Sequence, residues 1–325
     1  MSFAIEGFAP TVDDIRGARE RLLPVIRSLP LLRTAHTDRD LRLKAESLQP
    51  MGSFKVRAGV TAAERAARQG ATRLVTASAG NFAQGLVFGA RVNGLQVDVH
   101  VPDTAARSKL DAIRMLGARL IEHPFDEWWA IMQSREVSGT PGEEPGVFVH
   151  PVADEPVLLG NSTIGLEIGE EWPDVDVVIA PFGGGGLSVG IATALRALGS
   201  SAQVVTSEVE TSAALAAALE AGAPVAIDRR TSFVDGIGST RVLDGMWPLI
   251  KRSISRSIVT TVDECADAVR ELALTHKLIV EGAAASAYAA ANRPEFAGAR
   301  IAVVLSGSNI DRGVLAEILG TVEEQ

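Results

Sequence analysis

The chain has 325 residues, 46% of them hydrophobic and 22% charged, with a formal net charge of -9. That is enough apolar material for about two globular domains, and the acidic balance argues against a nucleic-acid or anionic-membrane partner, since both require a basic face. The single cysteine, Cys265, excludes a disulfide framework within the chain and suits a reducing compartment. Without a basic-then-apolar leader or an apolar run of membrane-spanning length, a cytoplasmic protein is expected.

Thr11-Val12-Asp13-Asp14-Ile15 predicts a capped helix with Ile15, Leu22 and Leu23 on its apolar stripe. Leu41 to Ala45 alternates like a half-buried strand. In Gln49 to Gly59, Pro50 and Gly52 break the local structure and Ser53 is placed to cap a helix carrying Val56, Val60, Ala63 and Ala67. Lys55 falls in its first turn, where the helix end is already partly positive. One reading is a solvated lysine whose stem covers apolar surface. The other is a lysine held among positive neighbours, so that its pKa falls and its amine can attack a carbonyl.

From residue 73 the pattern alternates. Leu74 to Ala77 predicts a strand ending at Ser78-Ala79-Gly80-Asn81, then a helix with Phe82, Leu86 and Val87. Val97 to Val101 predicts a strand, Pro102-Asp103-Thr104 the start of a helix through Met115, and Arg119 to Ile121 and Val147 to Val149 two more strands. Phe125 to Gly146, Gly/Pro/Glu-rich from Gly139, reads as a surface loop. Val177 to Ala180 runs into Gly183-Gly184-Gly185-Gly186 and a helix with Leu187, Ile191, Leu195 and Leu198. Val204 to Thr206 predicts a strand before an alanine-rich helix from Thr211, and Cys265, Val269, Leu272 and Leu274 lie on a later helix. Ile301 to Leu305 predicts a buried parallel strand ending at Ser306-Gly307-Ser308-Asn309. The alternation predicts an α/β protein with open parallel sheets.

In such sheets ligands sit outside the carboxyl ends of the strands. Three loops of unusual composition fall at predicted strand ends: 78–81, 183–186 and 306–309. The tetraglycine run lets backbone N–H groups converge on an anion at a helix N-terminus. It lacks the Lys-Ser/Thr of a P-loop and the GxGxxG fingerprint, so the phosphate of a small cofactor fits it better than a nucleotide. Ser78 to Asn81 suits either an ordinary N-cap or a substrate carboxylate, and Ser306 to Asn309 reads equally as a turn. The five histidines, His36, His100, His123, His150 and His276, are scattered, and neither HExxH nor GxSxG occurs. Asp13-Asp14 and Glu143-Glu144 read as capping or solvated groups.

Together Ser53-Phe54-Lys55-Val56-Arg57, Ser78 to Gly85, Gly183 to Leu187, Glu281-Gly282-Ala283 and Ser306 to Asn309 resemble, in order and spacing, the pyridoxal-phosphate-dependent threonine/serine dehydratases and serine racemases, the fold type II enzymes. The resemblance implies two open parallel-sheet domains with the cofactor in the cleft between them: a large one of residues 1–72 plus 150–325, and a small one of residues 73–149 carrying the carboxylate loop. A C-terminal regulatory domain is not expected. Lys55 would carry pyridoxal 5'-phosphate covalently and act as base toward the substrate α-proton. Phe54 would pack near the ring, Asn81 would bond the phenolic oxygen, and Gly183, Gly184, Gly185 and Gly186 with the N–H of Leu187 would hold the phosphate. Ser306 would face the pyridine nitrogen, and Gly236 and Glu281 would lie nearby. Ser78, Ala79, Gly80, Asn81 and Phe82 would bind the substrate carboxylate.

The implied reaction is β-elimination of water from a β-hydroxy amino acid such as threonine or serine, giving a 2-oxo acid and ammonia. A racemase, a β-replacement synthase, a hydroxyaspartate-type dehydratase and a non-enzymatic binding protein are the alternatives, and a homodimer is expected. Phe82 stands where the family usually has histidine, Ala58-Gly59 reverses Gly-Ala, Gly160-Asn161-Ser162-Thr163 replaces Gly-Gln-Gly-Thr, and Ser308 replaces a glycine. Family racemases carry at position 79 a serine that moves protons. Ala79 cannot, which favours elimination. In the segment matching the family's cation site, Glu208 to Ala214, only Glu208 matches a ligand, so no metal is expected.

Overall fold

The computed structural model describes residues 5, 7–34, 40–137 and 146–320. His36, Glu143-Glu144 and residues 139–145 of the glycine-rich segment lie outside the described residues.

Helix α1 (Val12–Leu22) opens with Thr11 and Asp14 in a reciprocal capping box, and strands β1 (Leu31–Arg33) and β2 (Leu41–Lys44) follow. Helix α2 (Lys55–Arg68) comes next. A first α/β run comprises β3 (Arg73–Ala77), α3 (Asn81–Val92), β4 (Gln96–Pro102), α4 (Arg107–Met115), β5 (Arg119–His123), α5 (Phe125–Ser134) and β6 (Val147–Phe148). The second comprises α6 (Glu155–Glu171), β7 (Val177–Pro181), α7 (Gly186–Ala197), β8 (Gln203–Val209), α8 (Ala214–Ala221), α9 (Trp247–Ser253), β9 (Ser257–Thr260), α10 (Val262–Leu274), α11 (Gly282–Ala291), β10 (Ile301–Val304) and α12 (Arg312–Gly320).

The strands form two sheets, ordered β1-β2-β10-β7-β8-β9 and β5-β4-β3-β6. Every pairing is parallel except the antiparallel edge pair β1–β2. The mixed α/β expectation with parallel sheets therefore holds. In the larger sheet, alternate residues serve opposite faces, as the pleat dictates. Val178, Ala180 and Val304 pack with Leu158, Ile164 and Ile191 of α6 and α7. Ile179, Val205 and Val303 pack with Val269 of α10 and the alanine face of α11. Each fully buried valine, leucine or isoleucine contributes about 1.5–3 kcal/mol.

Several local expectations need correction. Phe125 to Gly146 is not a loop throughout, because its first part is α5. The helix expected from Pro102 begins at Arg107, since Pro102 still pairs with His123 in the sheet. The alanine-rich helix starts at Ala214 rather than Thr211. Ser53 is not a helix cap: its backbone is extended and bridges Gly307, and Phe54 takes the position before α2.

Helices α2 and α3 cross at backbone distance. An ideal Cβ on Gly59 would lie 2.3 Å from the Gly85 carbonyl, and one on Gly85 would lie 2.5 Å from the Lys55 carbonyl oxygen. Only glycine permits this crossing, which accounts for the Ala58-Gly59 order and sets the height of Lys55 against α3.

Candidate active site

The loops after β3, β7 and β10 converge on one cavity of about 240 Å³. Its walls include Phe54, Lys55, Ser78, Gly80, Asn81, Phe82, Gly183 to Leu187, Gly236, Glu281 and Ser306. Ala79 is absent from the lining, and its methyl packs toward the core of the smaller sheet. A roomier open groove of about 460 Å³ beside Arg196 and Lys251 sits at the N-terminal end of β8 and holds none of these groups.

Backbone lacing fixes the Lys55 side of the cavity. Phe54 N–H donates to the Ser306 carbonyl at 3.0 Å, Ser308 N–H to the Gly52 carbonyl at 2.8 Å, and Glu281 N–H to the Gly307 carbonyl at 2.9 Å. The Ser308 hydroxyl adds bonds to the carbonyls of Ser47 and Gly52, a stitch that glycine could not make. The loop at 306–309 is thus more than a turn.

The Lys55 amine donates to the Pro151 carbonyl at 3.2 Å and lies 5.1 Å and 5.5 Å from the ring centres of Phe54 and Phe82. Burial lowers its pKa to about 8, while the Glu281 carboxylate pulls the other way. The expectation of positive neighbours is therefore wrong in its cause: loss of solvation among aromatic walls does what a cationic cluster was expected to do. Glu281 is itself held above the usual carboxylate range, chiefly by burial. Asn81 donates to both Glu281 oxygens at 3.0 Å, and the Asn309 amide donates to Asn81 Oδ1 at 2.8 Å.

Gly80 takes the N-cap position of α3, so neither Ser78 nor Asn81 caps it. The first N–H groups of α3 lack partners within the helix. Opposite, Gly185 stands at φ +89°, a left-handed conformation that suits glycine, and an ideal Cβ on Gly184 would lie 2.6 Å from Val152 Cγ2. Two crowded glycines ahead of the free N–H groups of α7 make a cradle of anion-binding form. A desolvated amine, this cradle and Ser306 in one cavity fit a phosphorylated aldehyde cofactor. Residues 20–307 match the family model described as "Pyridoxal-phosphate dependent enzyme".

The chain belongs to this pyridoxal-phosphate dependent family. It is 33% identical to an L-threonine ammonia-lyase from Thermotoga maritima over 95% of this chain and 78% of that protein. It is 30% identical to a beta-hydroxyaspartate dehydratase from Paracoccus denitrificans over 94% of this chain and 98% of that one. The maize serine racemase structure superposes with a TM-score of 0.85 at 26% identity, covering 95% of this chain and 97% of that chain. The family's cofactor is pyridoxal phosphate, and the fold is the type II fold of these enzymes.

Several lining residues were not singled out from the sequence, among them Pro151, Val152, Lys109 and Asp235. Pro151 and Val152 lie beneath the Lys55 amine and the glycine run. Lys109 of α4 meets Asp235, which precedes Gly236, at 2.5 Å across the cavity rim. Of these only Asp235 stood beside a recognised position, and nothing in the local pattern separates Lys109 from other helix lysines.

Proposed function

We propose that the chain is an ammonia-lyase that eliminates water from a β-hydroxy amino acid such as L-threonine or L-serine, releasing a 2-oxo acid and ammonia. The observation that carries this reading is a half-buried lysine amine, held by the Pro151 carbonyl and with its pKa lowered to about 8, sharing one cavity with an anion cradle and a helix N-terminus. Pyridoxal phosphate, when bound, supplies the electron sink that makes the substrate α-proton removable.

The chain's own residues do the rest. Lys55 Nζ, largely able to shed its proton near pH 8, accepts the α-proton. The N–H groups at the start of α3, from Gly80 to Phe82, hold the substrate carboxylate, and Ser78 flanks them. Gly183 to Gly186 and the Leu187 N–H hold the cofactor phosphate. Phe54 would pack near the ring, Asn81 would bond its phenolic oxygen, and Gly236 and Glu281 would lie nearby, all in the same cavity. Ser306 would offer the pyridine nitrogen a neutral hydroxyl, a setting that would favour prompt expulsion of the leaving group. Alanine at position 79 leaves no side-chain acid there for returning a proton to the opposite face, which favours elimination over racemisation.

A second reading keeps the chemistry and changes the substrate. Lys109 puts a cation at the rim, paired with Asp235, and a β-hydroxy dicarboxylic amino acid would have its second carboxylate take the place of Asp235 on that ammonium. Assaying ammonia and 2-oxo acid over a panel of β-hydroxy amino acids, with and without a second carboxylate, separates the two. Interconversion of enantiomers alone would defeat both. Survival of the bound-cofactor absorbance in Lys55→Ala would defeat the lysine assignment.

The same reading takes residues 73–149 as a small domain beside a larger one of residues 1–72 plus 150–325, in a cytoplasmic homodimer. Buried, unpaired Cys265 supports a reducing compartment, and no helix among the described residues is long and apolar enough to cross a membrane. Sedimentation of the purified protein tests the dimer.

A further inference from the structure

The segment His150-Pro151-Val152-Ala153-Asp154 is tied more tightly than a connection into α6 needs. The His150 ring accepts at Nδ1 from the N–H groups of Val152 at 3.1 Å and Ala153 at 2.9 Å. Asp154 Oδ2 accepts the His150 N–H at 2.7 Å, and Asp154 Oδ1 is paired with Arg135 Nη1. Arg135 Nη2 also donates to the Ala153 carbonyl at 2.5 Å. His150 and Asp154 are 4% and 0% exposed, so water does not compete for these bonds. Arg135 reaches them from the end of α5 with φ +64°, a conformation costly for a non-glycine residue.

What the turn presents is the Pro151 carbonyl, aimed at Lys55 Nζ, and the Val152 side chain, seated under Gly184. We propose that His150, Asp154 and Arg135 clamp this turn so that the Pro151 carbonyl holds the free Lys55 amine in line with the reacting centre. They are positioning residues for that amine. The inference rests on the assignment of Lys55 as the reactive amine made above.

Imidazole serves this role only while neutral, with its proton on Nε2. Burial, then Arg135 and Lys55, lower the His150 pKa to about 3, so the acceptor persists at working pH. The groups facing it are Arg135, Asp154 and Lys55.

The test compares His150→Leu, which removes the acceptor, with His150→Asn, whose Oδ1 replaces Nδ1. Lys55 labelling by an amine-specific reagent is followed against pH by mass spectrometry in the full chain freed of cofactor. The loaded enzyme gives kcat and KM. In His150→Leu the Lys55 titration midpoint falls by about half a pH unit, because the ammonium loses a well-aimed acceptor. Its kcat falls about tenfold or more with KM within about threefold, as expected of a misplaced reacting group. His150→Asn restores both. Arg135→Gln, which leaves a donor near Asp154 but removes its ion pair, moves both in the same direction by less, measured on protein whose folding is checked by circular dichroism.

A folded His150→Leu protein with wild-type labelling and kcat overturns the proposal. So does a folded His150→Asn protein as impaired as His150→Leu. Elimination that persists in Lys55→Ala would instead sink the assignment of Lys55, a result the labelling data cannot produce.

Discussion

Arg57 and Glu46 face each other through two 2.8 Å hydrogen bonds, with neither side chain exposed. The other edge of the same guanidinium meets Glu167 at 2.7 Å and 2.8 Å, and Lys44 Nζ closes on Glu167 at 2.6 Å. Two cations and two carboxylates thus balance inside the protein, joining β2, the segment before α2, α2 and α6. Arg57 lies two residues beyond Lys55, so the network bolts down the helix that carries the amine. Removing one partner strands buried charge. Arg57→Ala is therefore expected to cost about 3–5 kcal/mol in urea unfolding. Arg57→Lys should recover little of it, because an ammonium cannot span both carboxylates side by side. Near-wild-type stability for Arg57→Ala would contradict this account.

The crossing of α2 and α3 predicts a cost for a single methyl group. In Gly85→Ala the added carbon meets the Lys55 carbonyl at 2.5 Å, so the helices must separate. A loss of about 1–3 kcal/mol is expected from overpacking. The displaced amine should lower kcat more than it raises KM. Thermal melting with steady-state kinetics checks both, and an unchanged kcat would detach the crossing from the site.

Glu208 explains why no cation is expected in its neighbourhood. Its carboxylate accepts from the N–H groups of Leu215 at 2.7 Å and Ala216 at 2.8 Å, and from the Ser257 hydroxyl at 2.7 Å. Its oxygens cap α8, and no cluster among the described residues groups three or more possible metal-binding side chains. Glu208→Gln should cost about 1–3 kcal/mol through the donors left unpaired. A chelator should leave the melting temperature unchanged, whereas a fall on chelation would reveal a cation.

Acid should destabilise the protein through two buried histidines. Burial, with nearby positive charge, lowers His100 to about 4 and His150 to about 3. Both values lie below the unfolded value near 6.5, so the unfolded chain binds more protons throughout that interval. The stabilisation is complete above pH 6.5 and drains away as pH falls toward 4 and then 3, by up to about 1.4 kcal/mol per pH unit for each ring. Asp154, pushed up to about 7 by burial, contributes with the opposite sign between about pH 7 and 4. The His150 contribution is therefore read as a difference: the pH dependence of urea midpoints between about pH 7.5 and 4.5 should be altered in His150→Asn by up to about 1.4 kcal/mol per pH unit, in the direction of less acid destabilisation. An unaltered slope in that variant would clear His150 of the effect.

Much of this site was legible before folding, and its gaps have physical causes. Strands β3, β4, β7, β8 and β10 declared themselves by composition, and the loops beyond β3, β7 and β10 by unusual residues. Their convergence follows from parallel pairing, which puts like ends together. Helices α6 and α11 escaped because they are buried nearly all round, so no apolar stripe marks them. Helix α5 was hidden by the glycine-rich segment after it. Ser53 was misread because its backbone pairs with Gly307, a partner more than 250 residues away. The low pKa of Lys55 was anticipated from charge but arises from its walls, and burial is a tertiary property that no local window displays.

The bond between Lys109 and Asp235 closes the rim from two sides, one end on the helix after β4 and the other on the turn before Gly236. Their side chains are 35% and 49% exposed, so dissolved ions reach them. Salt weakens the attraction between two such exposed charges. If this pair sets how readily the cavity opens, raising ionic strength should speed binding and release while leaving the proton transfer at Lys55 unchanged.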